Sequence, residues 1–150
     1  TILACGQAFS FTSDKLSCLQ KAVTPGFEAS SAVASCGRAF DFTSDKQACL
    51  TLAVEARRPL GQLIEACAAS NAFVSDRMTC LRTFISSGVN DRLGAQLINA
   101  CDAATDFVSD QQQCLREALP LGWNGPGIVS ACAQVSSFSS DRLACIRNAR

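Results

Sequence analysis

The stretch FVSDRMTCL, residues 73–81, recurs four more times with small changes in this chain of 150 residues. The other copies are FTSDKLSCL at 11–19, FTSDKQACL at 42–50, FVSDQQQCL at 107–115 and FSSDRLACI at 138–146. Another cysteine stands 13 positions before the cysteine of every copy. Because a motif with a fixed period marks one structural unit per copy, the sequence predicts a single repeat domain over residues 1–150. Its repeats are expected at approximately 1–24, 25–57, 58–88, 89–122 and 123–150.

Each repeat contains two stretches with the apolar spacing of an α-helix. In the third repeat, Leu63, Ile64 and Cys67 share one helical face, and a second stripe starts at Cys80. Between them, Ser75-Asp76 offers an N-cap and a first-turn carboxylate, and the phenylalanine that opens the motif is expected to plug the hairpin. One hairpin cannot bury both its faces, so neighbours must stack. The sequence therefore predicts an all-α fold: a short right-handed α/α solenoid of five hairpins and about ten helices.

The ten cysteines favour disulfides, since the chain has no histidine and no close Cys-x-x-Cys pair for a zinc site. The 13-residue spacing never changes, whereas a three-residue insertion widens the gap between Cys80 and Cys101. A disulfide tolerates little change in geometry, so pairing within each repeat is predicted. The expected bridges are Cys5–Cys18, Cys36–Cys49, Cys67–Cys80, Cys101–Cys114 and Cys132–Cys145. The alternative joins neighbouring repeats, as in Cys18–Cys36, and would leave two cysteines unpaired.

Charge and compartment follow from composition. Lys plus Arg and Asp plus Glu are 13 each, so the chain has no bulk attraction to nucleic acid and little net charge to keep copies apart. No run approaches the roughly 20 apolar residues of a membrane-spanning helix. Disulfides indicate an oxidising compartment, and we expect a secreted, cell-surface or periplasmic protein.

Catalytic signatures are missing from the sequence. Without histidine, and with oxidised cysteines, the common pairs of nucleophile and base cannot form. A column of aspartates, one per repeat, is interpreted as helix capping, because layers about 10 Å apart are too far apart for two carboxylates to share a calcium ion. The column comprises Asp14, Asp45, Asp76, Asp110 and Asp141. We expect no enzyme activity, no cofactor and no metal.

Departures from the repeat are the expected contact sites. One is the turn that carries Trp123, the single tryptophan, and another is the insertion near Gly88–Arg92. A third candidate is a column of arginines two positions after the second cysteine, which could bind anions. The candidate contact residues are Trp123, Asn124, Asn90, Asp91, Arg92, Arg82, Arg116 and Arg147.

The repeated, cysteine-stapled plan resembles disulfide-stapled α/α repeat proteins such as the cysteine-rich Sel1-like group of secreted bacterial proteins. The resemblance implies a helical repeat architecture and assigns no functional residue. We expect a non-enzymatic scaffold that binds a protein partner. Two alternatives stay open: a structural subunit whose copies stack head to tail into a fibre or surface layer, and a carrier of a small ligand or lipid.

Overall fold

A computed structural model describes all residues from Thr1 to Arg150, and the chain is all-α apart from one two-residue strand pair. The α-helices are α1 (Ile2–Ala8), α2 (Thr12–Ala22), α3 (Ser30–Ala39), α4 (Thr43–Ala56), α5 (Gly61–Ser70), α6 (Val74–Ser87), α7 (Asp91–Ala104), α8 (Val108–Ala118), α9 (Gly125–Cys132) and α10 (Ser139–Asn148). A 3-10 helix spans Leu119–Asn124, and strands β1 (Val23–Thr24) and β2 (Phe27–Glu28) pair antiparallel around Pro25-Gly26. Gly26 has φ 77°, which the turn requires and glycine adopts without strain. The helices form five consecutive pairs, one per repeat.

A disulfide joins the two helices of every pair. The structure has the pairing that the invariant spacing predicts, with Cα–Cα distances of 5.6–5.8 Å, and it contains no free cysteine. The bridges are Cys5–Cys18, Cys36–Cys49, Cys67–Cys80, Cys101–Cys114 and Cys132–Cys145. Each bridge closes a short loop, which in the chain-entropy model stabilises the fold by roughly 3 kcal/mol.

The chain divides into two compact units, Thr1–Ile85 and Ser86–Arg150. The first unit holds three hairpins and the second holds two. The boundary lies just before Gly88–Arg92, where the insertion lengthens the repeat. The expectation of a single domain over residues 1–150 stays a prediction.

In the first unit the hairpins stack through like helices: α1, α3 and α5 pack side by side, and α2 packs on α4. Val33 and Ile64, three positions before the first cysteine of their repeats, are each 1% exposed. Small residues let the helices approach closely, since a Cβ added at Gly37 would lie 2.9 Å from the Cβ of Ala8. Stacking therefore buries the apolar column that the sequence placed in the core. In the second unit α7 packs on α9 and α8 on α10.

A basic side chain connects successive hairpins within each unit. It stands three positions before the second cysteine and donates to the last carbonyl of the first helix of the preceding hairpin, a contact that we call the latch. The latches are Lys46 Nζ to Ala8 O at 2.9 Å, Arg77 Nη1 to Ala39 O at 2.6 Å and Arg142 Nη1 to Ala104 O at 2.8 Å. Because the last carbonyls of a helix lack intrahelical partners and carry partial negative charge, a cation is well placed there.

The start of each second helix differs from the prediction. Ser75 was expected to cap α6, but α6 already begins at Val74, so Ser75 is its second residue. In α2, α4, α8 and α10 the N-cap position is the motif phenylalanine, and no side chain caps the helix. The motif aspartates do lie in the first turn of all five second helices, where the helix dipole favours a carboxylate.

Candidate functional site

The motif phenylalanines lie on the surface, and the prediction that they plug the hairpins is wrong. We call these five residues the tip phenylalanines, since each lies at the turn between the two helices of its hairpin. Their exposed fractions are 71% for Phe11, 70% for Phe42, 70% for Phe73, 70% for Phe107 and 69% for Phe138. A single exposed aromatic residue needs no explanation. A phenylalanine exposed at the same position of five hairpins does need one, and packing of the hairpin does not provide it.

The plug stands two positions earlier, directly after the first helix. Phe9 and Phe40 fill it in the first two repeats and are 4% and 2% exposed. In the next two repeats the place is taken by Asn71 and Thr105, both buried. Asn71 Nδ2 donates to Cys67 O at 3.0 Å and Thr105 Oγ1 donates to Cys101 O at 2.8 Å. The plug column varies because a ring or a hydrogen-bonding side chain can close the hairpin. The column that stays phenylalanine is the exposed one.

The tip backbone holds each tip phenylalanine outside the helix that follows. Phe11, Phe42, Phe107 and Phe138 are all extended, with φ between −117° and −88° and ψ between 131° and 146°. The carbonyl of every tip phenylalanine accepts a hydrogen bond from the backbone N–H four residues later, at 2.9–3.2 Å. The rings are thus presented by an ordered backbone between stapled helices, which lowers the entropic cost of binding.

Aspartates stand close in sequence to every tip phenylalanine. The motif aspartate follows three residues after each tip phenylalanine, and Asp41 and Asp106 directly precede two of them. The basic residues next in sequence, such as Arg77 and Arg142, donate to the latch carbonyls instead. The tips therefore combine an exposed ring with carboxylates.

Trp123 and Asn124, expected contact residues, lie in the 3-10 helix that precedes α9. Trp123 is 62% exposed and Asn124 is also exposed. Gly122 beside them has φ 59°, a conformation that glycine adopts readily. The side chain of Trp123 is thus accessible at the surface. Asn124 is the residue directly before α9.

One of the three candidate contact residues in the insertion has a structural role. Asn90 is the N-cap of α7, and its Oδ1 accepts from Leu93 N at 3.0 Å. Asp91 is half-buried in the first turn of α7 and Arg92 is exposed. The side chain of Asn90 therefore serves to start α7, which the sequence reasoning missed, although an Asn directly before an apolar helical stripe is a usual capping signal.

The arginine column is not uniform. Arg147 Nε pairs with Glu117 Oε1 at 3.3 Å, and Arg150 Nη2 pairs with Glu117 Oε2 at 2.6 Å. Arg82 and Arg116 lie exposed on α6 and α8. The proposed anion stripe thus includes one residue that already has a carboxylate partner.

The first helices of the first unit carry a polar cluster beside a shallow depression. The depression, of about 160 Å³, lies between α1 and α3 and is lined by Ala4, Gln7, Ala8, Ala34, Gly37 and Arg38. Arg38 pairs with Glu65 and Ser35 Oγ donates to the same carboxylate at 3.1 Å. The hydrogen bond from Arg38 lowers the pKa of Glu65 below its usual range, and the hydrogen bond from Ser35 acts in the same direction. Binding of a small ligand or lipid stays a prediction.

Similarity to known proteins does not assign the site. No protein-family model, no curated protein and no solved structure matches this chain. None of the helices combines the length and the apolar character needed to cross a membrane. No group of three or more Cys, Asp or Glu side chains is arranged to hold a metal ion.

Proposed function

We propose that this protein is a non-enzymatic repeat scaffold of an oxidising compartment, secreted, at the cell surface or periplasmic, that binds a protein partner through its tip phenylalanines. The observation that carries the proposal is the exposure of about 70% at the same column of all five hairpins. Ten paired cysteines suit an oxidising compartment, and the staples suit a scaffold that keeps its shape there.

The tip phenylalanines contribute little to folding and can contribute much to binding. Burying a fully exposed phenylalanine gains roughly 1.5–3 kcal/mol, so a ring that starts 70% exposed has most of that gain left. Each ring buried in a partner would then strengthen binding by about 1–2 kcal/mol, which is roughly 6- to 35-fold. Exposed aromatic residues held by a rigid backbone are typical anchors of protein interfaces.

The carboxylates beside the rings favour a basic partner. A Lys or Arg of the partner could lie over the face of a tip phenylalanine and near the first-turn aspartate at once. Complementary charge would also speed the encounter and make it sensitive to salt. The partner that fits is therefore a polypeptide surface with apolar and basic residues interspersed.

The test compares the wild-type chain with a tip variant that carries Phe11→Ser, Phe42→Ser and Phe73→Ser. The probe is a series of amphipathic peptides with Lys, Arg and Leu, titrated by fluorescence anisotropy at two salt concentrations. We expect the wild type to bind the basic peptides and the tip variant to bind at least about 100-fold more weakly. Val23→Ser is the matched control, since Val23 is 71% exposed and lies away from the tips in β1.

Folding and rival contacts are checked in the same series. The tip variant should keep the far-UV circular dichroism of the wild type, because the replaced rings are on the surface. Trp123→Ala should leave peptide affinity unchanged. Equal binding by the wild type and a folded tip variant would reject the proposal, and loss of binding with Trp123→Ala alone would move the site to that turn.

A further inference from the structure

The serines of the repeated motif have no structural role within the chain. One stands two positions after every tip phenylalanine, and all five are exposed. The motif serines are Ser13, Ser44, Ser75, Ser109 and Ser140. Their side chains cap no helix and make no hydrogen bond within the chain. Because most residues are tolerated at an exposed position, a serine at the same place in five hairpins has no explanation in the fold.

The first-turn aspartates of the first unit also lack a partner. Asp14, Asp45 and Asp76 directly follow the motif serines and are partly buried. Their carboxylates form no ion pair and accept no side-chain hydrogen bond within the chain. At the second and third tips the neighbouring cations are engaged elsewhere, since Lys46 and Arg77 donate to carbonyls of the preceding hairpin. Each of these tips therefore offers an exposed ring, a hydroxyl donor and a carboxylate.

The three tips of the first unit repeat at a regular step. The same bond fixes both steps, because Lys46 reaches Ala8 O and Arg77 reaches Ala39 O, each 38 positions back. The first helices of successive hairpins pack so closely that a Cβ at Gly37 would lie 2.9 Å from the Cβ of Ala8. Since packed helix axes lie about 8–10 Å apart, successive tip phenylalanines are expected about 8–10 Å apart as well.

A polypeptide segment in the polyproline II conformation has the same period. It has three residues per turn and rises about 3.1 Å per residue, so every third side chain lies on one face, about 9 Å from the next. A β-strand returns to one face after two residues, which is about 6.6 Å and too short. An α-helix returns to nearly the same face after seven residues, about 10.5 Å. Spacing therefore leaves the polyproline II segment and the α-helix.

Hydrogen bonding distinguishes these two. The carbonyls of an α-helix bond within the helix along its length, so they leave the motif serines without an acceptor. A polyproline II segment has no internal hydrogen bonds, and all its carbonyls are free to accept. Aromatic surfaces are also the usual receptors of such segments. The rings, the hydroxyl donors and the spacing thus favour polyproline II.

We propose that the partner segment bound by the tips of the first unit is a polyproline II segment with a basic residue at every third position. One apolar column of the segment packs on Phe11, Phe42 and Phe73, and the motif serines donate to its carbonyls. A neighbouring column of Lys or Arg, with the same step, pairs with the first-turn aspartates. Such a segment is extended before it binds, which lowers the entropic cost. The inference rests on the proposed function, since it uses the same tips, and it adds the conformation and spacing of the partner.

The test titrates three labelled peptides by fluorescence anisotropy against the full oxidised chain. The first peptide consists of four Pro-Pro-Arg triplets. The second has the same composition with the arginines unevenly spaced, and the third is an amphipathic helical peptide of the same charge. We expect the first to bind at least about tenfold more tightly than either of the others, since it alone combines free carbonyls with a basic column that matches the step of the tips.

A serine variant that carries Ser13→Ala, Ser44→Ala and Ser75→Ala tests the hydrogen bonds. It should bind the Pro-Pro-Arg peptide at least about tenfold more weakly, because three hydrogen bonds are lost, and the helical peptide like the wild type. Its far-UV circular dichroism should stay the same, because the replaced side chains are exposed. Ser31→Ala is the matched control, since Ser31 is exposed in the first turn of α3, at the end of the hairpin away from the tip. It should leave all three affinities unchanged.

The outcomes separate this inference from the proposed function. Equal or tighter binding of the helical peptide would overturn the polyproline II segment, and so would a serine variant that binds the Pro-Pro-Arg peptide like the wild type. Tip-dependent binding would stand in both cases. Equal binding of the regular and the unevenly spaced peptide would overturn the match in spacing. If no peptide binds, or if the tip variant binds all three like the wild type, the inference and the proposed function both fail.

Discussion

Two phenylalanines two residues apart should differ widely in how much stability the chain loses when each is replaced by alanine. Phe40 is 2% exposed and Phe42 is 70% exposed. Phe40→Ala removes a buried ring and leaves a cavity, which costs about 3–5 kcal/mol. For Phe42 only about a third of the ring is buried, so about a third of the 1.5–3 kcal/mol transfer energy applies and the cost of Phe42→Ala stays below about 1 kcal/mol.

The free energy of unfolding of both variants is measured by urea titration without reductant, followed by far-UV circular dichroism. The two substitutions are chemically identical and leave the five disulfides in place, so each variant serves as the control for the other. A domain of this kind has a total stability of roughly 5–15 kcal/mol, so the difference is large against the whole. If Phe42→Ala destabilises as much as Phe40→Ala, the rings of the tips are packed and the reasoning from exposure to binding is wrong.

Three further outcomes follow from the latch, the polar cluster and the staples. Arg77→Met removes the bond to the Ala39 carbonyl of the preceding hairpin and a second bond to the Asn71 carbonyl of its own hairpin, and should lower the unfolding free energy by about 2–3 kcal/mol. Arg82→Met, on the exposed face of the same helix, should change it by less than about 0.5 kcal/mol; equal effects would contradict the stabilising role of Arg77. Arg38 lowers the pKa of Glu65, so that interaction stabilises the fold above the ordinary pKa of a glutamate and is lost as pH falls through the lowered value. Glu65→Gln should therefore flatten the loss of stability below about pH 4, and an unchanged acid titration would contradict it. Reduction removes five cross-links of roughly 3 kcal/mol each and should abolish the helical circular dichroism; a folded reduced chain would show that the helices do not need the staples.

The sequence by itself determined the repeat, the helices and the staples. These are local properties: the period appears in the order of residues, the apolar spacing of a helix is read within a few turns, and a bridge between residues 13 apart is limited by short-range geometry. The all-α class and the pairing of Cys5 with Cys18 follow from that information alone.

Only the tertiary structure decided which side chains are buried at the tips. Phe40 and Phe42 both stand in the turn between two helices, where no helical or strand periodicity distinguishes a buried side chain from an exposed one. The identity of the motif phenylalanine in all five repeats suggested that its ring packs inside the hairpin. The same holds for the basic column, since the latch of Arg77 to Ala39 joins residues 38 positions apart and depends on how hairpins stack. Burial of the column that contains Ile2 also depends on tertiary structure. The column is apolar in every repeat, but a single hairpin cannot cover both its faces, so a neighbouring hairpin must bury it.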